Sequence, residues 1–194
     1  MRGMNRLLAL SFCVSTLFAL HACAPAVVVG AGASAAAAHD RRSVGAIVDD
    51  AAIELKIGAL IKADNALADT THIAITSVNG VVLLTGEAET AALRDKVVAD
   101  ARNVESVRMV VDEIRIAQPT PIGNRTRDTW ITTKVKSKLI NTRGLDSSQV
   151  KVVTEARSVY LLGLVTQEQG QLAAEAARRI RGVARVVKLF EYTD

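Results

Sequence analysis

Ile73-Ala74-Ile75-Thr76-Ser77-Val78-Asn79-Gly80-Val81-Val82-Leu83-Leu84-Thr85-Gly86 returns 77 residues later as Val150-Lys151-Val152-Val153-Thr154-Glu155-Ala156-Arg157-Ser158-Val159-Tyr160-Leu161-Leu162-Gly163. Ile73, Ile75, Val82, Leu84 and Gly86 fall on Val150, Val152, Val159, Leu161 and Gly163. Alternating β-branched residues on either side of a short break predict a β-hairpin in each stretch. Asn79-Gly80 is the stronger turn signal, since both residues tolerate positive φ. Ala156-Arg157 is a weak one, so the second hairpin is expected to lean more on packing. A repeat at fixed offset means that the fold is two copies of one unit.

Apolar residues at helical spacing flank both hairpins. Ile53, Ile57, Leu60 and Ile61 precede the first, and Ile131, Val135 and Leu139 precede the second. After the hairpins, Leu93, Val97 and Ala101 match Leu172, Ala176 and Ile180, and Thr166 with Gln169 has the spacing of a capping box. A last strand is expected around Val107–Ile114 and again around Val183–Phe190. The predicted class is α+β: two tandem αββαβ domains, each a three-stranded sheet packed by two helices. Their expected limits are residues 43–117 and 123–194, with a proline-stiffened linker at 118–122.

The αββαβ order, the strand–turn–strand ending in Val-x-Leu-x-Gly and the duplication resemble BON domains. Asp128-Thr129-Trp130-Ile131-Thr132-Thr133-Lys134-Val135 is similar to the start of the second domain in dual-BON outer-membrane lipoproteins of the DolP type. That resemblance implies a periplasmic, non-enzymatic protein that binds anionic phospholipid and supports envelope integrity.

The amino-terminal residues carry a different message. Arg2 and Arg6 precede an uncharged, mostly apolar run from Leu7 to Leu20. That is shorter than the roughly 20 residues of a spanning helix and fits a signal peptide. Leu20-His21-Ala22-Cys23 resembles the lipobox of bacterial lipoproteins, although His21 stands where a small residue is usual. The resemblance implies a signal peptide over residues 1–22, cleaved before an acylated Cys23. Ala24 after it implies sorting to the outer membrane, on its periplasmic face. The alternative is an ordinary signal peptide cut at a later alanine. Cys13 follows bulky Phe12, a poor cleavage context, so Cys23 is the one thiol left once residues 1–22 are removed. No disulfide framework or cysteine-based metal site can then form within the chain. Small residues dominate 24–42, which reads as a tether reaching on the order of 60 Å at full extension.

A catalytic reading finds little support. His21 and His39 lie in the leader and the tether, and His72 is expected at a solvated strand end. Neither a phosphate-binding Gly-rich loop nor a nucleophile elbow is present. The pairs Asp49-Asp50 and Asp112-Glu113 read as solvated faces. No enzyme, cofactor or metal is expected.

Charge divides the copies. Residues 43–117 hold 7 Lys and Arg against 12 Asp and Glu, a net −5, whereas residues 122–194 hold 13 against 7, a net +6. Opposite fields concentrate different partners. On a helical wheel with Trp130 at 0°, Ile131, Val135 and Leu139 fall at roughly 100–180°, Lys134 at roughly 40° and Lys138 at roughly 80°. Trp130, the one tryptophan, should therefore face away from the core beside two lysines, with Arg125 and Arg127 just before it. An exposed indole among cations suits a membrane interface with anionic lipid such as phosphatidylglycerol or cardiolipin. The competing reading packs Trp130 under the other domain. The secretion signal disfavours nucleic acid as the partner. A second functional reading is an adaptor that docks an envelope protein through the acidic first copy.

Overall fold

The computed structural model describes residues 40–118 and 125–194. Cys23, the signal peptide, most of the tether and the linker prolines lie outside the described residues.

The Ser43 side chain accepts from the Ala46 amide and starts α1 (Val44–Ala63). Asp64 ends it and caps a short α2 (Asn65–Thr70) by accepting from Ala66. β1 (Thr71–Val78), β2 (Val81–Ala88), α3 (Ala91–Arg102) and β3 (Met109–Ile116) complete the first copy. The second runs α4 (Arg125–Ile140), a 3-10 turn at Ser147–Gln149, β4 (Lys151–Glu155), β5 (Ser158–Val165), α5 (Gln167–Arg178) and β6 (Arg185–Tyr192). Thr166 and Gln169 form the expected capping box at the start of α5. The closing strands begin two residues later than the pattern suggested. The Val107 amide donates to the Val104 carbonyl and the Val183 amide to Ile180, so both valines still belong to turns.

Each sheet has its second strand in the middle: β1-β2-β3 and β4-β5-β6. The hairpin pair is antiparallel and the outer pair parallel in both copies. A parallel pair needs a crossover, which α3 and α5 provide. The repeated glycine has a steric cause. Gly86 and Gly163 have φ of +115° and +145°, and a Cβ there would sit 1.9 Å from the carbonyl oxygens of His72 and Gln149.

One face of each sheet packs on its own helices. In the first copy Ile53, Ile57, Val82, Leu84 and Val97 form that core; in the second, Ile131, Val135, Val159, Leu161 and Ala173 do. The other faces pack on each other. Val78 and Leu83 meet Tyr160 and Leu162 in a third core, flanked by Val111, Val153, Val187 and Leu189. The two copies thus share one compact unit, Ala36–Asp194, layered helix, sheet, sheet, helix. The rim of the sheet–sheet contact carries reciprocal polar pairs. Arg108 and Asn79 donate to Glu191 at 3.0 and 2.7 Å. Arg185 and the Tyr160 hydroxyl donate to Glu113.

Three expectations are corrected here. Asp50 is no solvated charge: it is only 4% exposed. It accepts from the amides of Asn79 at 2.7 Å and Gly80 at 2.9 Å, from the Ser77 hydroxyl at 2.6 Å and from Arg42 at 2.9 Å. The second hairpin, expected to lean more on packing, is held at its turn by a carboxylate as the first is. Asp128 accepts from the amides of Ala156 and Arg157 at 2.8 and 2.9 Å. The tether also ends earlier than residue 42, because Arg42 pairs with Asp50 and the Arg41 amide donates to Gln149 at 2.9 Å.

Hydrogen bonds to a charged acceptor contribute about 1.5–3 kcal/mol each in favourable settings, and stranding buried donors costs a similar amount. Asp50→Ala is therefore expected to lower unfolding free energy by about 3 kcal/mol or more. Asp128→Ala, which frees two amides on an exposed turn, should cost less. Urea denaturation of both variants checks the order. Gly86→Ala or Gly163→Ala should destabilise more than an alanine at exposed Gly144, read in the same titration.

Candidate functional site

Helix α4 is fixed by its apolar side. Ile131, Val135 and Leu139 are fully buried, as the wheel predicted. That rotation leaves Trp130, one residue before the stripe, half exposed at 50%. Trp130 does not pack under the first copy. The Lys134 ammonium lies 5.5 Å from the centroid of its ring, a cation–π distance.

Beside the indole opens a groove of about 340 Å³, lined by Arg127, Trp130, Ile131, Arg157, Arg181 and Gly182. Its wall comes from three chain segments: the first two turns of α4, the β4–β5 turn and the loop after α5. Asp128 joins the first two, since its carboxylate on α4 holds the turn amides. The Arg157 side chain joins the second to the third, its Nε donating to the Gly182 carbonyl at 2.9 Å. Gly182, at φ +103°, lets the loop lie against Ile131. Among the described residues, no carboxylate comes within ion-pair distance of Arg127, Arg157 or Arg181.

The structure brings Arg127, Trp130 and Lys134 together. Lys138 is exposed on the same helix but two turns on, roughly 12 Å along the axis, and does not line the groove. Arg125 opens α4, and its side chain lies outside the described atoms, as does Cys23. Arg157 and Arg181 were not singled out by the sequence. Arg181 sat in a basic run that the helix macrodipole already explains, and Arg157 read only as a poor turn residue. Their helix-external positions have no periodicity to signal that they converge.

Glu155, the last residue of β4, is partly buried next to this turn. Burial pushes its carboxyl above the usual glutamate range, and the nearby charges of Glu87 and Asp128 add to the effect against Arg115 and His72. Glu87 is itself buried and ion-paired with Arg115. His72 lies within β1 and is half-buried rather than solvated. Among the described residues, no group of three or more His, Cys, Asp or Glu could hold a metal. No described helix is long and apolar enough to cross a membrane.

The BON domain family model matches residues 49–118 and again 127–194, one match on each αββαβ unit. The chain belongs to the BON family. Its two BON domains are accompanied by similarity over most of the chain to curated relatives. Outer membrane lipoprotein DolP of Haemophilus influenzae is 35% identical over 180 residues, covering 93% of each chain. The 21 kDa hemolysin of Actinobacillus pleuropneumoniae is 36% identical over 155 residues, 80% of each. Osmotically-inducible protein Y of Escherichia coli is 33% identical over 147 residues, 74% of this chain and 72% of that one. None of these names describes an enzymatic activity.

The raised pKa of Glu155 has a defined sign. The folded state disfavours its ionised form, so stability rises as pH falls through the raised folded pKa and the gain is complete below the ordinary value of 4.5. Glu155→Gln should therefore raise Tm at pH 7, and its advantage over the parent should vanish in acid below that value. Thermal melts of both proteins across pH check this.

Proposed function

We propose that this is an outer-membrane lipoprotein, held on the periplasmic face by acyl chains on Cys23. It docks anionic phospholipid through α4 of its second BON domain and so supports outer-membrane integrity. The observation that carries the reading is the half-exposed Trp130, with Lys134 stacked on its ring and three arginines beside it that have no ion-pair partner among the described residues. An indole at headgroup depth is stabilised by its amphipathic ring. Each nearby cation adds about 1 kcal/mol against an anionic leaflet. The acyl anchor raises the local concentration of the folded part, so that second contact need not be tight. The outer-membrane name of the relative matched over 93% of both chains supports the location.

An adaptor role for the first domain draws on a different observation. Val44, Val48 and Leu55 lie exposed along α1, on the copy of net −5 charge. Crosslinking to an envelope protein that depends on Leu55, with no vesicle binding by the second domain, would favour that role.

Two measurements test the lipid reading. The mature chain carrying Cys23→Ser, and hence no lipid, is titrated with vesicles of phosphatidylglycerol and of phosphatidylcholine. Its single tryptophan should shift to the blue on phosphatidylglycerol alone, and the binding should weaken as salt rises. Trp130→Glu should abolish the association, and equal binding by this variant would sink the proposed site. In cells, Cys23→Ala should release the protein from the membrane fraction.

A further inference from the structure

We infer that the outer face of α1 is a self-association surface, on which a second copy of this chain packs its own α1 antiparallel. This goes beyond the lipid reading and uses the opposite side of the layered fold. Helices α1 and α4 form the two outer layers, so pairing through α1 leaves Trp130 accessible.

Helix α1 is apolar on two sides. Ile53 and Ile57 face the core. On a helical wheel with Leu55 at 0°, Val44, Val48, Ala51 and Ala59 fall within roughly 40° of it, whereas the two isoleucines fall at roughly 160–200°. All five residues of this outer stripe are exposed, Leu55 to 75%. A surface helix ordinarily has one apolar stripe and a polar outer face. The second copy keeps that rule. Its α4 carries Thr126, Thr129, Thr133 and Ser137 where α1 has Val48, Ala51, Leu55 and Ala59, and all four are exposed. The scaffold therefore does not require the apolar stripe.

Self-complementarity points to the occupant. At the C-terminal end of α1, Lys56, Ala59, Leu60, Ala63 and Val104 line an apolar groove of about 490 Å³. Val44 and Val48 stand as knobs at the other end of the same helix. A two-fold axis beside Ala52 brings these ends together. Val44 then lies level with the partner's Ile61, between the partner's Ala59 and the partner's Ala63, and so over the groove. Val48 lies level with the partner's Ile57, between the partner's Leu55 and the partner's Ala59. Each knob meets a hole, and every contact occurs twice, as a two-fold interface requires.

Charge agrees with the same register. It sets Asp49 level with the partner's Lys56, and both residues are exposed on one flank of the stripe, at roughly 100–120° on the wheel. In an antiparallel pair like flanks meet, so this ion pair also forms twice. On α4 the corresponding residues are Arg127 and Lys134, two cations that would repel in that arrangement. Within its own chain Lys56 makes only an exposed contact to Glu105 at 3.6 Å, which is cheap to exchange. A contact confined to one pair of 20-residue helices falls at the small, weak end of interface sizes, below roughly 1,200 Å² in total. Confinement of acylated chains to one membrane raises their local concentration and makes weak pairing sufficient. The net −5 of residues 43–117 opposes the approach, and salt relieves that repulsion.

The test uses the mature chain with Cys23→Ser, followed by sedimentation over a wide concentration range. The parent should shift from monomer toward dimer as concentration rises. Added salt should not weaken the dimer, the reverse of its effect on vesicle binding. Val48→Thr with Leu55→Thr, which installs the second copy's residues, should raise the dissociation constant about tenfold or more while the folded circular-dichroism spectrum is retained. Ala52→Cys, then the one thiol in the chain, should give a disulfide-linked dimer on mild oxidation, and Thr129→Cys on α4 should not. A parent that stays monomeric throughout, with no dimer from Ala52→Cys, overturns the proposal. So does undiminished dimerisation of the threonine pair, which would place the contact elsewhere. Crosslinking of Ala52→Cys to a different envelope protein, with no dimer of this chain, overturns self-pairing in favour of the adaptor role. If the parent is monomeric and the threonine pair loses phosphatidylglycerol vesicles, α1 is a membrane contact and the proposal fails. Trp130→Glu should lose the vesicles and still dimerise, so the lipid reading and the self-association surface can fail separately.

Discussion

A single carboxylate on the first helix of each copy holds the hairpin turn, and the rest of each domain is positioned from that point. Asp50 and Asp128 stand three residues before Ile53 and Ile131, the first apolar anchors of their helices. The same helical turn therefore packs on the sheet and grips the end of its hairpin. An αL-rich turn leaves two amides pointing the same way, and a carboxylate accepts both at once with charge-assisted bonds. The helix cannot then slide along the sheet without breaking them. In the first copy the clamp extends further, through Arg42, so the start of the folded chain is fixed by the same residue.

With each hairpin so fixed, the sheets can afford to be covered on both faces. β2 and β5 are central strands with helices on one side and the other copy on the other, which is why Val81 to Leu84 and Val159 to Leu162 run apolar without alternation. The reciprocal Arg108–Glu191 and Arg185–Glu113 pairs lie at the rim of this contact. Pairs this exposed contribute little stability; they set how one sheet lies on the other. A consequence for function is that both first helices, α1 and α4, are outer layers. Each presents its solvent side freely, and what distinguishes the copies is written on that side.

Much of this was legible beforehand, for identifiable reasons. The repeat, the helical stripe Ile131–Val135–Leu139 and the capping box at Thr166 are periodic or local signals, and they survive without tertiary knowledge. Trp130 and Lys134 could be placed together because both lie on one helix, where geometry follows from spacing. The sheet–sheet core was present as a signal too, in the unbroken apolar runs, but such runs also fit ordinary buried strands. Asp50 was misread because a lone acidic residue beside another looks solvated; its partners, Asn79 and Gly80, lie about 30 residues on. Arg157 and Arg181 were missed for the same reason. They meet Arg127 only after the hairpin turn and the loop following α5 have been brought to α4.

That pattern of misses bears on how the two copies came to differ in use. The residues that build the scaffold, namely the aspartate, the stripe and the glycine before the crossover, occupy matching positions in both. Those around the groove do not: Asp49, Ala52, Gly80 and Glu105 in one copy stand where Arg127, Trp130, Arg157 and Arg181 stand in the other. Since the first copy folds on the same plan without them, stability does not require the cations or the indole. Indeed Arg157 is tolerated only because Asp128 already holds its amide. The clamp that fixes the fold is thus also what permits a strained, charged turn at the edge of the site, and structure and proposed function meet at that one carboxylate.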